Sequence, residues 1–153
     1  MPIRLASIRS GIGENMEDRY LFRAKRIDTG EWVEGYLSYP FCTKKGNESY
    51  YFYTKDSLGF FCRCVVDAST ICRCTGRTDR DEKLIFEHDV IVYLDTYSTE
   101  SGYAEADCAG EVLWDEETLS FQVTNRLSAE SYEVLDECSV VGNKFDNPEL
   151  LEV

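Results

Sequence analysis

The chain has 153 residues and a net charge of −13, with 43% hydrophobic and 13% aromatic residues. This length matches one domain, and the aromatic content excludes a largely disordered acidic chain. No stretch approaches the roughly 18 to 20 consecutive apolar residues of a membrane helix, and residues 1–20 lack the apolar core of a signal peptide. We therefore predict a cytoplasmic protein that does not enter a membrane.

Charge is divided unevenly along the chain. Residues 1–80 contain 13 Lys and Arg against 10 Asp and Glu, a net +3, whereas residues 81–153 contain 3 against 19, a net −16. The acidic total argues against a general nucleic-acid binder, which needs a cationic surface. This charge asymmetry has two explanations. The acidic residues lie in loops that keep a small β protein soluble, or they form a face that binds a basic partner.

The N-terminal part predicts an arm followed by a β-hairpin. Residues 1–18 show neither helical nor strand periodicity, so we predict a flexible arm there and a single domain over residues 19–153. Residues 20–27 and 32–37 flank Asp28-Thr29-Gly30, a turn with Gly where a positive φ is needed. The charges of the first strand are expected on both of its faces, as an edge strand tolerates.

The middle of the chain predicts a second hairpin and a further strand. Residues 49–54 and 60–66 are rich in aromatic and β-branched residues and are separated by a short polar turn. Residues 70–75 predict a short strand. The polar stretch 76–83 carries too much charge for a core element, so we predict a surface loop.

The acidic half predicts a central strand, a long loop and a third hairpin. Residues 90–94 form a continuous apolar run of strand length, which we place centrally in the sheet. Residues 95–107 are predicted to be a long acidic loop. Residues 111–114 and 119–123 flank a four-residue turn, and Leu119, Phe121 and Val123 alternate as a strand with one buried face.

Residues 128–137 fit either a short helix or a strand, and a last strand is predicted near Val140. With about eight short strands and few helical signals, the predicted fold is mostly β with at most one or two short helices. A small antiparallel barrel with long acidic loops fits best, because closure removes the exposed edges of so small a sheet.

Three stretches resemble the YopX family. Residues 21–35 contain LFRA and TGEWVEG, similar to that family's opening strand and hairpin; residues 66–92 follow its central pattern from VD to DVIV; and residues 141–151, VGNKFDNPELL, are close to its ending. The chain departs from the family pattern at His88, where Gly is usual, at Cys74, where an aromatic residue is common, and at Arg77, where an apolar residue is common. The resemblance implies an SH3-like barrel and a phage or prophage origin, and it carries over no catalytic residue.

Four cysteines form two Cys-x-Cys pairs, Cys62 with Cys64 and Cys72 with Cys74. Four thiolates on adjacent strands are a potential tetrahedral zinc site, although protein zinc knuckles usually place C-x-x-C at a turn. Cysteines on buried strand faces commonly serve in packing. With seven cysteines, an odd number, and a predicted reducing compartment, we predict mainly free thiols and no bound metal or other cofactor.

His88 is the single histidine, which excludes metal sites built on two histidines. A pairing of a cysteine with His88 has no identifiable third member. The sequence contains no P-loop, no G-x-G-x-x-G and no G-x-S-x-G motif. We therefore predict that the protein is not an enzyme.

Aromatic residues at positions 50–53, 60 and 61 are candidates for a platform on which the bases of a single-stranded nucleic acid stack. Lys44, Lys45, Lys55 and Arg63 lie nearby in the sequence. Strand alternation must bury about half of these rings and the net charge repels phosphates, so a small nucleic-acid-binding barrel is the alternative hypothesis. A third hypothesis, a self-assembling structural protein, follows from the opposite charges of the two halves.

The leading hypothesis is a phage-encoded accessory protein that binds a basic host or phage protein through an acidic face. The partner would be a host defence or nucleic-acid-binding protein whose basic surface this face occupies, and formation of a homo-oligomer is left open. The predicted acidic face contains Asp95, Glu100, Glu105, Asp107, Asp115, Glu116, Glu117, Glu130, Glu133, Asp136 and Glu137.

Overall fold

The computed structural model describes residues 18–40, 49–125, 131–133 and 137–152, with the backbone alone for residues 125 and 131–133. The chain divides into two compact units, Met1–Gly76 and Arg77–Val153. Most of the predicted N-terminal arm, residues 1–17, lies outside the described residues. The single domain over residues 19–153 stays a prediction.

Strands dominate the described part of the chain. The eleven strands described, β1 to β11, span Phe22–Lys25, Trp32–Leu37, Tyr50–Lys55, Phe61–Val66, Cys72–Thr78, Leu84–Phe86, Asp89–Thr99, Gly102–Asp115, Ser120–Asn125, Ser131–Glu133 and Ser139–Asn143. Three 3-10 helices span Asp18–Tyr20, Ala68–Thr70 and Pro148–Leu151. The mostly-β prediction is confirmed, and no described helix is long and apolar enough to cross a bilayer.

The strands of the first unit form an antiparallel sheet in the order β4-β3-β2-β1-β5. The predicted first hairpin is β1 with β2, and the second is β3 with β4. Gly30 has a φ of +74° in the first turn, as predicted. In β1 the charged side chains of Arg23 and Lys25 share one face, because they are two residues apart in a strand. The expected edge position was wrong, because β1 pairs with both β2 and β5.

One face of this sheet carries the core of the first unit. Ala24, Phe52, Cys64 and Val66 are buried there, with Phe22, Val33, Leu37, Tyr50 and Ile71 packed around them. The sheet curls over this core, because an isolated bridge between Arg26 and Val66 brings the end of β4 back to the end of β1.

The predicted closed barrel is wrong. The described strands form two antiparallel sheets, and one isolated bridge between Arg26 and Val66 is not a continuous ladder of hydrogen bonds. The sheet therefore keeps open edges, which sequence reasoning had expected closure to remove. The SH3-like type stays a prediction.

The second unit contains a five-stranded antiparallel sheet in the order β10-β9-β8-β7-β11. The predicted interior position of residues 90–94 is confirmed, because β7 pairs with both β8 and β11. The third hairpin, β8 with β9, and the last strand near Val140 are confirmed as well. Of the undecided segment 128–137, the described residues Ser131–Glu133 form a strand.

The predicted long acidic loop at residues 95–107 is also wrong. This segment completes a β7–β8 hairpin whose ladder runs from Val90–Glu111 to Thr99–Gly102. In β8, small residues such as Ala104 and Ala106 alternate with exposed carboxylates. This alternation has the period of a strand, but the high acidic content made the segment resemble a solvated loop. Likewise, the predicted surface loop 76–83 begins later than expected, because β5 continues to Thr78.

The core of the second unit lies between strands of this sheet and residues that precede it. Its buried members are Ile85, Ile91, Tyr93, Cys108, Val112, Val123 and Cys138, with Phe121 and Val140 packed against them. Between Val140 and Gly142 the pairing of β11 with β7 shifts register, which leaves Val141 as an irregularity in the ladder.

Asp79 fastens the turn before β6 to the last strand. One carboxylate oxygen accepts hydrogen bonds from the backbone N–H of Asp81 and of Lys83, each at 2.9 Å, and the other accepts from the N–H of Val140 at 3.0 Å. Burial alone would raise the pKa of Asp79, but these backbone donors together hold it below its usual value.

We expect Asp79→Asn to destabilise the protein by about 2 kcal/mol at pH 7, because an amide presents one acceptor where three donors converge. A carboxyl whose folded pKa is lowered stabilises the fold above its unfolded pKa of about 3.9, and this stabilisation is lost as the pH falls through the folded value. Urea unfolding at pH 7 and at pH 3 should therefore show a smaller difference between the two proteins in acid.

Asp81, which is exposed, provides the control. Its side chain accepts none of the three hydrogen bonds made by Asp79, so Asp81→Asn removes a carboxylate and keeps those bonds. Equal unfolding free energies for Asp79→Asn and Asp81→Asn at pH 7 would contradict the role of Asp79.

Candidate functional site

The solvent-facing side of the first unit's sheet brings aromatic and cationic side chains together. Residues directly opposite each other on paired strands share a face, and the register pairs Lys25 with Trp32, Tyr36 with Tyr53, and Lys55 with Phe61. This surface, which we call the platform, consists of Arg23, Lys25, Trp32, Tyr36, Tyr51, Tyr53, Lys55, Phe61 and Arg63, and it includes one carboxylate, Glu34, opposite Arg23.

Four of the platform's cations lie over aromatic rings. The guanidinium carbon of Arg23 is 4.6 Å from the centre of the Trp32 ring, and Lys25 Nζ is 5.3 Å from the same ring. Lys55 Nζ lies 5.1 Å from the Phe61 ring. These distances are within the range of attractive cation–π contacts, which hold the long side chains along the surface.

The fourth cation, Arg63, is a residue of β4. The guanidinium carbon of Arg63 is 4.6 Å from the centre of the Tyr51 ring on β3. Arg63 lies directly opposite Tyr53, so it also reaches the middle of the platform. The cations of this face therefore come from β1, β3 and β4, whereas β2 contributes Trp32 and Tyr36 with the carboxylate of Glu34 between them.

The platform surrounds an open groove of about 610 Å³. Trp32, Tyr36 and Tyr53 line it, and Phe61 stands at its rim with 78% of its surface exposed. Gly35 lines the groove as well, and a Cβ atom there would lie 2.5 Å from the backbone oxygen of Tyr53. Glycine is therefore required for β2 to approach β3 this closely.

The sequence indicated only part of this surface. Tyr51, Tyr53, Phe61, Lys55 and Arg63 were among the predicted platform residues and share one face. Phe52 points to the core, and Tyr50 packs against it.

Lys44 and Lys45 lie outside the described residues. Arg23, Lys25, Trp32 and Tyr36 were missed; their spacing of two within β1 and β2 was the signal that could have found them.

The acidic residues predicted on one face lie on both faces of the β7–β8 hairpin. Glu105 and Asp107 are exposed on β8, two residues apart and on the same side. Asp95 is opposite Ala106, and therefore lies on the other side of the hairpin. Glu100 is exposed at the hairpin turn.

The remaining predicted acidic residues are dispersed. Asp115 accepts hydrogen bonds from the N–H of Glu117 and the hydroxyl of Thr118, and these contacts lower its pKa; the side chain thus supports its own turn. Glu116, Glu117 and Glu137 are exposed. Glu130 and Asp136 lie outside the described residues, and for Glu133 only the backbone is described.

The two cysteine pairs project to opposite faces of their sheet. Cys64 lies opposite Phe52 on the core side, whereas Cys72 lies opposite Arg23, whose side chain is on the platform side. The Sγ of Cys72 is 3.2 Å from the carbonyl oxygen of Thr70. Burial raises the pKa of the Cys64 thiol, which disfavours the thiolate that zinc needs.

The six cysteines described, Cys62, Cys64, Cys72, Cys74, Cys108 and Cys138, are free thiols. Within the described ranges, no cluster of three or more His, Cys, Asp or Glu side chains is arranged to hold a metal ion.

His88 serves in a turn of the second unit. Its Nδ1 is 2.8 Å from Oε1 of Glu111, and its ring packs edge-on against Phe145. The backbone N–H of His88 donates to Val112 O, and its carbonyl accepts from the N–H of Lys144. The φ of +69° at His88 is in the left-handed region that glycine favours. The departure from Gly at this position therefore keeps the turn and adds side-chain contacts to it.

Comparison with known proteins identified one family. The model described as YopX protein matches residues 21–152, nearly the whole chain. No curated protein matches the chain.

We expect the protein to fold without bound metal, because the two cysteine pairs point away from each other. Elemental analysis should find substoichiometric zinc, and EDTA should shift the melting temperature by less than about 2 °C, a change worth well under 1 kcal/mol. One zinc ion per chain, with loss of the melting transition on chelation, would contradict this expectation. Cys72→Ser and Cys74→Ser variants would then locate the ligands.

Proposed function

The chain belongs to the YopX family, and we propose that it is a non-enzymatic protein that binds single-stranded nucleic acid on the platform. The observation that carries this proposal is the set of four cation–ring contacts on one sheet face. Single-strand binding combines aromatic rings on which bases stack with cations that contact the backbone. The platform supplies both kinds of group at neighbouring positions.

Strand spacing supports the fit. Neighbouring strands lie about 4.8 Å apart, so rings on β2, β3 and β4 present successive stacking surfaces across the sheet. Tyr36, Tyr53 and Phe61 are 44%, 48% and 78% exposed, which leaves ring faces accessible to bases. Every base has a π-face, so a surface of this kind tolerates different sequences.

The net charge of −13 does not prevent a phosphate from binding at the platform, because the negative charge lies mainly in the second unit. The first 76 residues carry 11 Lys and Arg against 9 Asp and Glu, and the last 77 carry 5 against 20. At physiological salt, exposed charges farther apart than about 8 Å are largely screened from one another. A bound phosphate therefore interacts mainly with the charges of the platform, which are the cations Lys25, Lys55 and Arg63 and the single carboxylate of Glu34.

We expect a fluorescent single-stranded 12-mer of DNA or RNA to bind at low salt, and Tyr53→Ala combined with Phe61→Ala to weaken binding at least 10-fold. Each stacked base contributes about 1–3 kcal/mol, and both rings are exposed enough to be removed without unfolding the sheet. Anisotropy titrations measure the change. Lys55→Gln and Arg63→Gln should each reduce the slope of log K against log salt by about 0.7.

The matched control removes two equally exposed rings from the second unit, Tyr97→Ala with Tyr103→Ala, which are 51% and 82% exposed in the native protein. The proposal fails if no probe binds at low salt, or if the control pair weakens binding as much as the platform pair does.

A second candidate function is binding of a basic host or phage protein through part of the predicted acidic face. The observation that favours it is the pair Glu105 and Asp107, exposed on one side of β8 within a unit of net charge −15. Charge complementarity of this kind steers association and is sensitive to salt. Occupation of a partner's nucleic-acid-binding surface, in the cytoplasm of a phage's host, is the extended form of this candidate.

For this candidate, we expect a protein captured from host lysate at low salt to be released at high salt, because the contact is electrostatic. Glu105→Gln with Asp107→Gln should abolish capture, whereas Glu149→Gln with Glu152→Gln, which removes the same charge elsewhere, should not. Mass spectrometry identifies the retained protein. Capture that is unaffected by both salt and the first pair of changes rules out this surface.

A further inference from the structure

The tip of the β3–β4 hairpin exposes three large apolar side chains. Leu58, Phe60 and Phe61 are 79%, 68% and 78% exposed, within four consecutive positions. Isolated apolar residues are ordinary on a protein surface, whereas a group of exposed apolar residues at one turn is a common feature of interaction sites. We call Leu58 and Phe60 the tip, since Phe61 belongs to the platform.

The loop that carries the tip is held by its own hydrogen bonds. Oδ1 of Asp56 accepts from the N–H of Leu58 at 2.9 Å and from the N–H of Phe60 at 3.0 Å. The N–H of Asp56 donates to Phe60 O, and the N–H of Gly59 donates to Asp56 O. Because the backbone is fixed in this way, inserting the tip between other groups costs little loop entropy.

The tip continues the platform at one end. Lys55 and Phe61 form the last pair of the β3–β4 ladder, with the lysine Nζ 5.1 Å from the Phe61 ring. Phe60 and Leu58 follow directly beyond this pair. A single strand that lies across the platform therefore meets the tip where it leaves the sheet.

We propose that the tip is an apolar wedge that stacks on the terminal base pair of a duplex, so that the preferred ligand is a junction between single-stranded and double-stranded nucleic acid. Apolar side chains such as Leu and Phe insert between bases in proteins that unstack or kink nucleic acids. The platform would hold the single strand while the wedge abuts the duplex end. This inference rests on the proposed binding of single strands to the platform.

Two probes separate the wedge from the platform: a single-stranded 12-mer, and the same 12-mer as an overhang on a DNA or RNA hairpin. We expect the native protein to bind the overhang probe at least about 5-fold more tightly, since one added stacking contact is worth about that factor or more. Leu58→Ser with Phe60→Ser should abolish this preference and leave the affinity for the 12-mer within about 2-fold.

Leu119→Ser with Tyr103→Ser is the matched control, since Leu119 is exposed in a hairpin turn and Tyr103 is exposed next to one. An assay on the native protein needs no variant: 2-aminopurine at the junction should gain fluorescence on binding, and 2-aminopurine inside the duplex should not.

Equal affinity of the native protein for both probes overturns the wedge and leaves the platform standing. Failure to bind either probe overturns both proposals. Equal loss of affinity for both probes in the tip variant also overturns the wedge, because the tip would then act as part of the platform. Binding to phospholipid vesicles that is lost in the tip variant, without any preference for the junction, would assign the tip to a membrane instead.

Discussion

Burial of Phe52 against Ala24, Cys64 and Val66 fixes which side of each strand in the first unit faces solvent. Strands have a period of two, so placing Phe52 in the core turns Tyr51 and Tyr53 outward, and the strand pairing transmits this choice to β2 and β4. A slip of one residue would bury the platform rings and expose the core. The candidate binding surface is therefore a consequence of core packing.

Charge is arranged differently in the two units. In the first, cations lie over rings, and those of Lys55 and Arg63 hold their charge at the surface beside an apolar partner. In the second, carboxylates lie on both faces of the β7–β8 hairpin, and several carboxylates of this unit serve the fold. Glu111 contacts His88 and Lys144, Asp115 supports a turn, and Asp79 joins distant segments. The net charge of the whole chain describes neither surface.

Sequence reasoning succeeded where a local signal was sufficient. Gly30 identified the first turn, and the alternation of Phe121 with Val123 identified β9. Leu119, which was expected on the same buried face, lies in the preceding turn with a φ of +52° and is 69% exposed. It failed for residues 95–107, because carboxylates alternating with alanines look like a solvated loop until a partner strand is known. It also missed the contribution of Arg23 and Trp32 to the platform, since cross-strand register is set by packing over a distance. The prediction of a closed barrel was wrong because closure requires a continuous ladder of hydrogen bonds. Between the ends of β1 and β4, the described residues form one isolated bridge, from Arg26 to Val66.

The bridge between Arg26 and Val66 has a consequence for self-association. An open edge strand with exposed phenylalanines beside it is a template for intermolecular sheets and aggregation. In β4, the carbonyl of Val65 already accepts the N–H of Ile27, and the N–H of Asp67 donates to Lys25 O. Farther along the same edge, Arg63 adds a charge that a stacked copy would have to bury. The end of β4 at Val65 and Val66 is thus protected against pairing with a second copy, and beside Phe60 and Phe61 the charge of Arg63 opposes fibril-like growth.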